Sequence, residues 1–266
     1  MRLCLLAVLL LALSGQAAAA DQLSEARRLY NLGQYEAAER LAREAAAVPA
    51  HTDAARVVLG RIQLERFRQS ADAKDFNAAR ESLRTVDATV LDPSERVELA
   101  IGLAEGLYLE GRFGAAAQLF ESVRHRSALL GRPAHERVLD WWATSLDRQA
   151  QSMPAEDRPA IYRRILPMME EEIVDNPGST AAGYWLAAAA RASGDLERAW
   201  NAAVSGWLRA TLGDDRGVAL RADLNRLVTE AIIPERAGKL AGRGDAKEAH
   251  AALTQEWEAF KRSWTK

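Results

Sequence analysis

Cysteine is almost absent from this 266-residue chain: Cys4 is the sole one, and it sits within the first few residues. An internal disulfide framework and a thiolate metal site are thereby excluded, so the fold must hold by packing. Lysine is scarce as well. Thirty of the 35 basic residues are arginine, and 37 carboxylates bring the formal net charge to −2. That balance removes the electrostatic case for nucleic acid or an anionic membrane surface, and the dispersed arginines read as solvated helix surface. Strand signals are missing, since no stretch alternates apolar and polar residues with β-branched enrichment. Catalytic signatures are missing too: there is no GxSxG elbow, phosphate-cradling glycine loop, HExxH or acidic calcium loop. The histidines His51, His125, His135 and His250 are scattered, and Glu170, Glu171 and Glu172 point around a helix instead of converging. The sequence therefore implies no catalytic residue, no metal and no cofactor.

The first twenty residues are a different kind of text. Arg2 supplies a positive start, Leu3 to Leu13 is an apolar run too short to span a bilayer comfortably, and Ala18-Ala19-Ala20 offers small residues before Asp21. This is the pattern of a secretory signal, residues 1–20, with cleavage after Ala20. Cys4 precedes the apolar run, where an acylated lipoprotein cysteine does not lie. The mature chain is expected in the periplasm, or secreted, with no stable membrane insertion. Retained, the same segment would be a marginal anchor.

From Asp21 onward apolar residues recur at helical spacing, as in Leu99, Leu103, Leu107 and in Leu253, Trp257, Phe260, Trp264. Breakers such as Asp92-Pro93, Asn176-Pro177 and Ile233-Pro234 punctuate the runs, and Pro234 reads as a restart of the chain. A short phrase also repeats: GQYEAA at Gly33–Ala38, KDFNAA at Lys74–Ala79, GRFGAA at Gly111–Ala116 and GDLERA at Gly194–Ala199. Each copy follows one amphipathic stretch and opens another. A glycine there suits a helix C-terminus, an aromatic or Leu (Tyr35, Phe76, Phe113, Leu196) plugs the hairpin, and an Ala admits close approach. The spacing predicts an all-α chain of antiparallel helix hairpins, with extra turn residues at Arg66–Lys74 and Gln149–Arg158.

These residues resemble the tetratricopeptide repeat, whose second half carries this Gly-x-aromatic-x-x-Ala order. The resemblance implies an α–α superhelix of about five hairpins over residues 21–213, closed by a helical capping segment over 214–266. Arg56 and Leu139 stand where the family often places a bulky aromatic, and Gly183 leaves that place empty. In the family the first helix of each hairpin lines a concave groove. Carried over by position, the groove candidates are Arg27, Tyr30, Arg61, Glu65, Glu98, Glu105 and Tyr108, then Arg137, Asp140, Trp141 and Asp147, then Tyr184, Trp185 and Arg191. Trp141 and Trp185 occupy equivalent places, whereas Trp142, Trp200 and Trp257 fall on apolar stripes and read as core. The function so implied is a non-catalytic scaffold that grips another protein or an extended peptide, a partner of the cell envelope, through aromatic and arginine anchors. The alternatives are a helical solute-binding protein with a small molecule in a pocket, and an enzyme drawing on Asp214, Asp215, Arg216 and Glu235.

Overall fold

The computed structural model describes residues 18–213, 215–241 and 245–264. Among these residues the chain is all-helical, without a strand. It divides into two compact units, the first ending at His135 and the second beginning at Glu136.

In the first unit, helix α1 covers residues 18–31, followed by α2 (Tyr35–Ala46), α3 (Thr52–Ser70), α4 (Ala73–Arg84), α5 (Pro93–Leu109) and α6 (Phe113–Val123). A 3-10 stretch over Arg124–Leu130 ends it. Each helix packs on its sequence neighbour, and α3 also packs directly on α5. Hydrogen bonds also tie α1, like them the leading helix of its hairpin, to both: Arg27 reaches Glu95 and Glu98 of α5, and the Tyr30 hydroxyl accepts from Arg61 of α3. The core is built from small and branched residues such as Leu23, Ala26, Ala38, Ala42, Ala55, Ile62, Leu64, Ala79 and Leu83. Ala38, Ala79 and Ala116, the last residues of the repeated phrase, have no exposed surface; any larger side chain there would hold the helices of a hairpin apart.

The hairpin turns follow from their glycines. Gly33, Gly111 and Gly194 adopt φ of +73°, +76° and +91°. In all three the glycine N–H donates to the carbonyl three residues back, and the next N–H donates to the carbonyl five back. That is the Schellman arrangement, which closes the orphan carbonyls of the preceding helix. The second copy differs. Its supposed insertion is an additional turn of α3, which continues to Ser70, and the left-handed position falls on Ala71 at φ +56°. An aromatic pair closes each hairpin of this unit: Tyr30 with Tyr35, Phe67 with Phe76, and Tyr108 with Phe113, at centroid distances of 5.8, 5.1 and 5.2 Å.

The second unit takes in α7 (Arg132–Gln151), which begins just before its boundary, α8 (Arg158–Asp175), α9 (Thr180–Ala192) and α10 (Leu196–Arg209). Then come α11 (Val218–Leu227), a π-helical turn over Val228–Ile232, α12 (Ile233–Ala241) and α13 (Ala246–Trp264). Here α9 packs on α8, α10 and α11, and α12 packs on α13. Two expectations fail in this unit. Pro234 does not restart the chain: helix runs from Val218 to Ala241, and the π turn just before Pro234 absorbs the N–H that proline cannot supply. The place left empty by Gly183 is filled from outside, because a Cβ there would lie 2.9 Å from Leu220 Cδ2. Leu220 on α11 occupies the space that a large side chain on α9 would have taken.

Tryptophan organises the end of this unit. Trp257 of α13 is fully buried against Trp200 and Trp207 of α10, at 5.8 and 5.4 Å between rings, and Phe260 stacks on it at 5.4 Å. Its Nε1 donates to Asn225 Oδ1 at 3.0 Å, which satisfies the one polar atom the burial carries. Trp142 and Trp200 are buried as well. Among the described residues no helix is long and apolar enough to cross a membrane.

Candidate binding site

In the first unit the carried-over residues do converge, but into a buried network. Tyr30, Arg61, Glu98 and Glu105 are all buried. Arg27 donates from Nε to Glu98 Oε2 at 2.9 Å and from Nη2 to Glu95 Oε1 at 3.0 Å. Arg61 reaches Glu98 Oε1 at 3.6 Å, donates weakly to the Tyr30 hydroxyl at 3.3 Å, and lies 4.7 Å over the Tyr30 ring. Burial acts to lower the Arg61 pKa; the Tyr30 oxygen and the carboxylates of Glu105, Glu98 and Glu65 outweigh it and hold the guanidinium above its ordinary value. Tyr108 is half-buried and lies edge-on to Phe113. These groups join α1, α3 and α5 across their leading faces and offer little surface to a visitor. The open recesses of this unit lie elsewhere. One of about 450 Å³ sits between the Gly33 turn and Arg66, and one of about 320 Å³ is lined by Leu64, Phe76, Leu83, Leu103, Leu107 and Leu119.

In the second unit the leading helices α7, α9 and α11 enclose an open recess of about 360 Å³. Four of the carried-over residues line it, Arg137, Asp140, Trp141 and Tyr184, together with Glu136, Thr180, Ala181 and Asp223. Trp185 is buried behind it, edge-on to Tyr184 at 5.4 Å, and its Nε1 donates to Asp140 Oδ1 at 2.9 Å. Glu136 caps α9: Asn176 Nδ2, Ser179 Oγ and the Ala181 N–H donate to it at 3.0, 3.1 and 3.0 Å. Asp140 is exposed as a residue, yet the protein crowding its carboxyl raises its pKa, and Asp223 adds to the rise against the Trp185 hydrogen bond. Burial raises the Tyr184 phenol in the same way, helped by Asp223, Asp147 and Asp140 and opposed by Arg191. Arg191 itself lies away from the recess lining and pairs with Glu235 of α12 at 2.6 Å. Asp147 is occupied, accepting from Tyr162 at 2.7 Å and from Gln151 at 2.6 Å.

No family model matches the chain, and no curated protein matches it. Chemistry must therefore be judged from the geometry alone. Among the described residues no three His, Cys, Asp or Glu side chains gather as a metal site. Ser127 and His135 have the spacing of a nucleophile and base, with Oγ and Nδ1 2.7 Å apart. Ser127 is fully buried, however, and its hydroxyl donates to the Arg124 carbonyl at 2.6 Å, so it serves as a turn-stabilising contact. The residues named for an enzyme disperse: Asp215 accepts from the Gly217 and Ala219 N–H groups, Glu235 pairs with Arg191, and Asp214 lies outside the described residues. Glu136, Thr180, Ala181 and Asp223 are the recess residues that sequence reasoning missed, and of these Glu136 and Asp223 carry charge. Asp223 stands on α11, which the repeat phrase does not announce, and its only signal was a place between Leu220 and Leu224 on an apolar stripe.

Proposed function

We propose that the protein is a non-catalytic, tetratricopeptide-like scaffold of the cell envelope that holds a protein segment or extended peptide against its leading helices. The observation that carries this reading is the recess of the second unit, lined from α7, α9 and α11 by half-buried aromatic side chains and by charged ones, of which Arg137 and Asp140 are exposed. Large rings and charged groups in an open concavity suit an extended chain, which lays side chains into successive recesses and leaves its backbone outside. The shared Schellman turns and the side-by-side packing of α3 on α5 and of α9 on α11 support repeat architecture. The Trp257 contacts support a capping role for α13. Export rests on the leader pattern of residues 1–20; residues 1–17 lie outside the described ones, and residues 18–20 form the start of α1.

Site-specific photo-crosslinking tests the binding reading in a Gram-negative host. A benzophenone amino acid at Trp141 should capture a partner, and the same group at Asn201, exposed on α10, should not. Equal capture from both positions, or from neither, would remove the recess as a binding surface. Mass spectrometry of the exported chain checks the leader, with a mature start at Asp21 expected and retention at full mass refuting it.

A further inference from the structure

The recess between α7, α9 and α11 carries charge that its surroundings leave unanswered. Glu136 is spent on capping α9, with three donors on its two oxygens. Asp140 accepts from Trp185, and among the described residues no cation pairs with it. Asp223 has Arg226, 3.5 Å away on its own helix, with both side chains well exposed; such pairs stabilise little and are readily exchanged. Arg137 is the cation in the lining, and it has interactions of its own. Burial, with Asp223 adding to it, raises both the Asp140 carboxyl and the Tyr184 phenol.

Two rings, Trp141 and Tyr184, stand beside those carboxylates. A planar, weakly hydrated cation answers this combination best, because it can stack on a ring and still give paired hydrogen bonds to a carboxylate. The volume, about 360 Å³, lies at the small end of ligand pockets and suits one long side chain with adjoining backbone. Resting on the peptide-binding reading above, we propose that this recess takes an arginine side chain of an extended peptide partner, its guanidinium received by Asp140 and Asp223 and its stem lying along Trp141 and Tyr184.

The test titrates the full-length protein, isotope-labelled in its tryptophans, with an N-acetylated, C-amidated Ala-Ala-Arg-Ala-Ala peptide at low ionic strength. The Trp185 indole N–H, bonded to Asp140, is the reporter, and its resonance should shift saturably. Affinity should fall at least about tenfold when citrulline replaces arginine, and at least about tenfold in Asp140→Asn and in Asp223→Asn. The D140N amide oxygen still accepts from Trp185, so a circular dichroism melt no lower than that of the wild type separates lost binding from lost folding. Equal shifts with the citrulline peptide, or wild-type affinity in both variants, would overturn the assignment. Agmatine binding as tightly as the peptide would overturn it in favour of a free guanidino compound. If the arginine peptide fails while crosslinking from position 141 still captures a partner, arginine is wrong and the scaffold stands; failure of both removes both.

Discussion

In the first unit Arg61 is shut in with Glu98, Glu105 and Tyr30, and Arg27 completes the set. In the second, Asp140 and Asp223 line an open recess beside Trp141 and Tyr184 without a buried cation to match. Both groups stand on leading helices. In one unit opposite charges have been matched inside the protein, where each secures its neighbours; in the other, on the reading proposed above, the match is left for a partner to supply. Residue type and helical position are alike, so what separates the structural network from the proposed binding surface is whether the partner charge is already in the chain.

The sharpest way to break this comparison is to remove the central cation. Arg61→Met leaves Glu98 with Arg27 alone and takes the cation from beside Glu105, and should cost about 3 kcal/mol of unfolding free energy in urea titrations. A loss below about 1 kcal/mol would mean that the network behaves as solvated surface. Asp92→Ala, next in size, tests a first-unit carboxylate that the fold satisfies completely. Burial acts to raise the Asp92 pKa, but hydrogen bonds from Glu95 and Ser94 and the field of Arg27 lower it overall. The capping box it forms with Glu95 on α5 should be worth about 1 kcal/mol at pH 7. A depressed carboxyl stabilises above its unfolded pKa, so the gap between wild type and variant should close as pH falls through the folded value. A gap that persists in strong acid would assign the effect to helix propensity.

Ala71→Gly is smaller and opposite in sign. Relief of the left-handed strain, about 1 kcal/mol, less about 0.5 kcal/mol for a freer unfolded chain, should leave a net gain of about 0.5 kcal/mol, visible as a raised melting temperature. Smallest of all is Asp140→Asn. A carboxyl raised by the fold destabilises once pH exceeds its unfolded value, so the amide should raise the melting temperature slightly at pH 7 and have no effect in acid, with solvent screening keeping the change small. A marked loss of stability would place Asp140 in the same structural class as Glu98.

The helices and their turns were legible because the signals were local. Gly33, Gly111 and Gly194 announce a positive φ, and Ala38, Ala116 and Ala199 announce a close approach, without reference to distant residues. What could not be read was accessibility. Arg61 and Arg137 both sit at leading-helix positions, and only the surrounding carboxylates decide that the first is buried while the second lines an open rim. The π turn also escaped notice, since Ile233-Pro234 reads identically whether a helix stops or widens. Residues gathered from far apart were hardest, and Asp223 became a neighbour of Asp140 only because α11 folds in as another leading helix.

That folding-in depends on an atom that is not there. Leu220 nests where Gly183 lacks a side chain, and those two residues are the sequence neighbours of Tyr184 and, one turn on, of Asp223. A lone missing methyl thus calibrates how far apart two walls of the cleft stand. Selectivity for a visitor of given girth would then be written at position 183, which touches no guest, and variants there could retune what fits while every contacting group stayed the same.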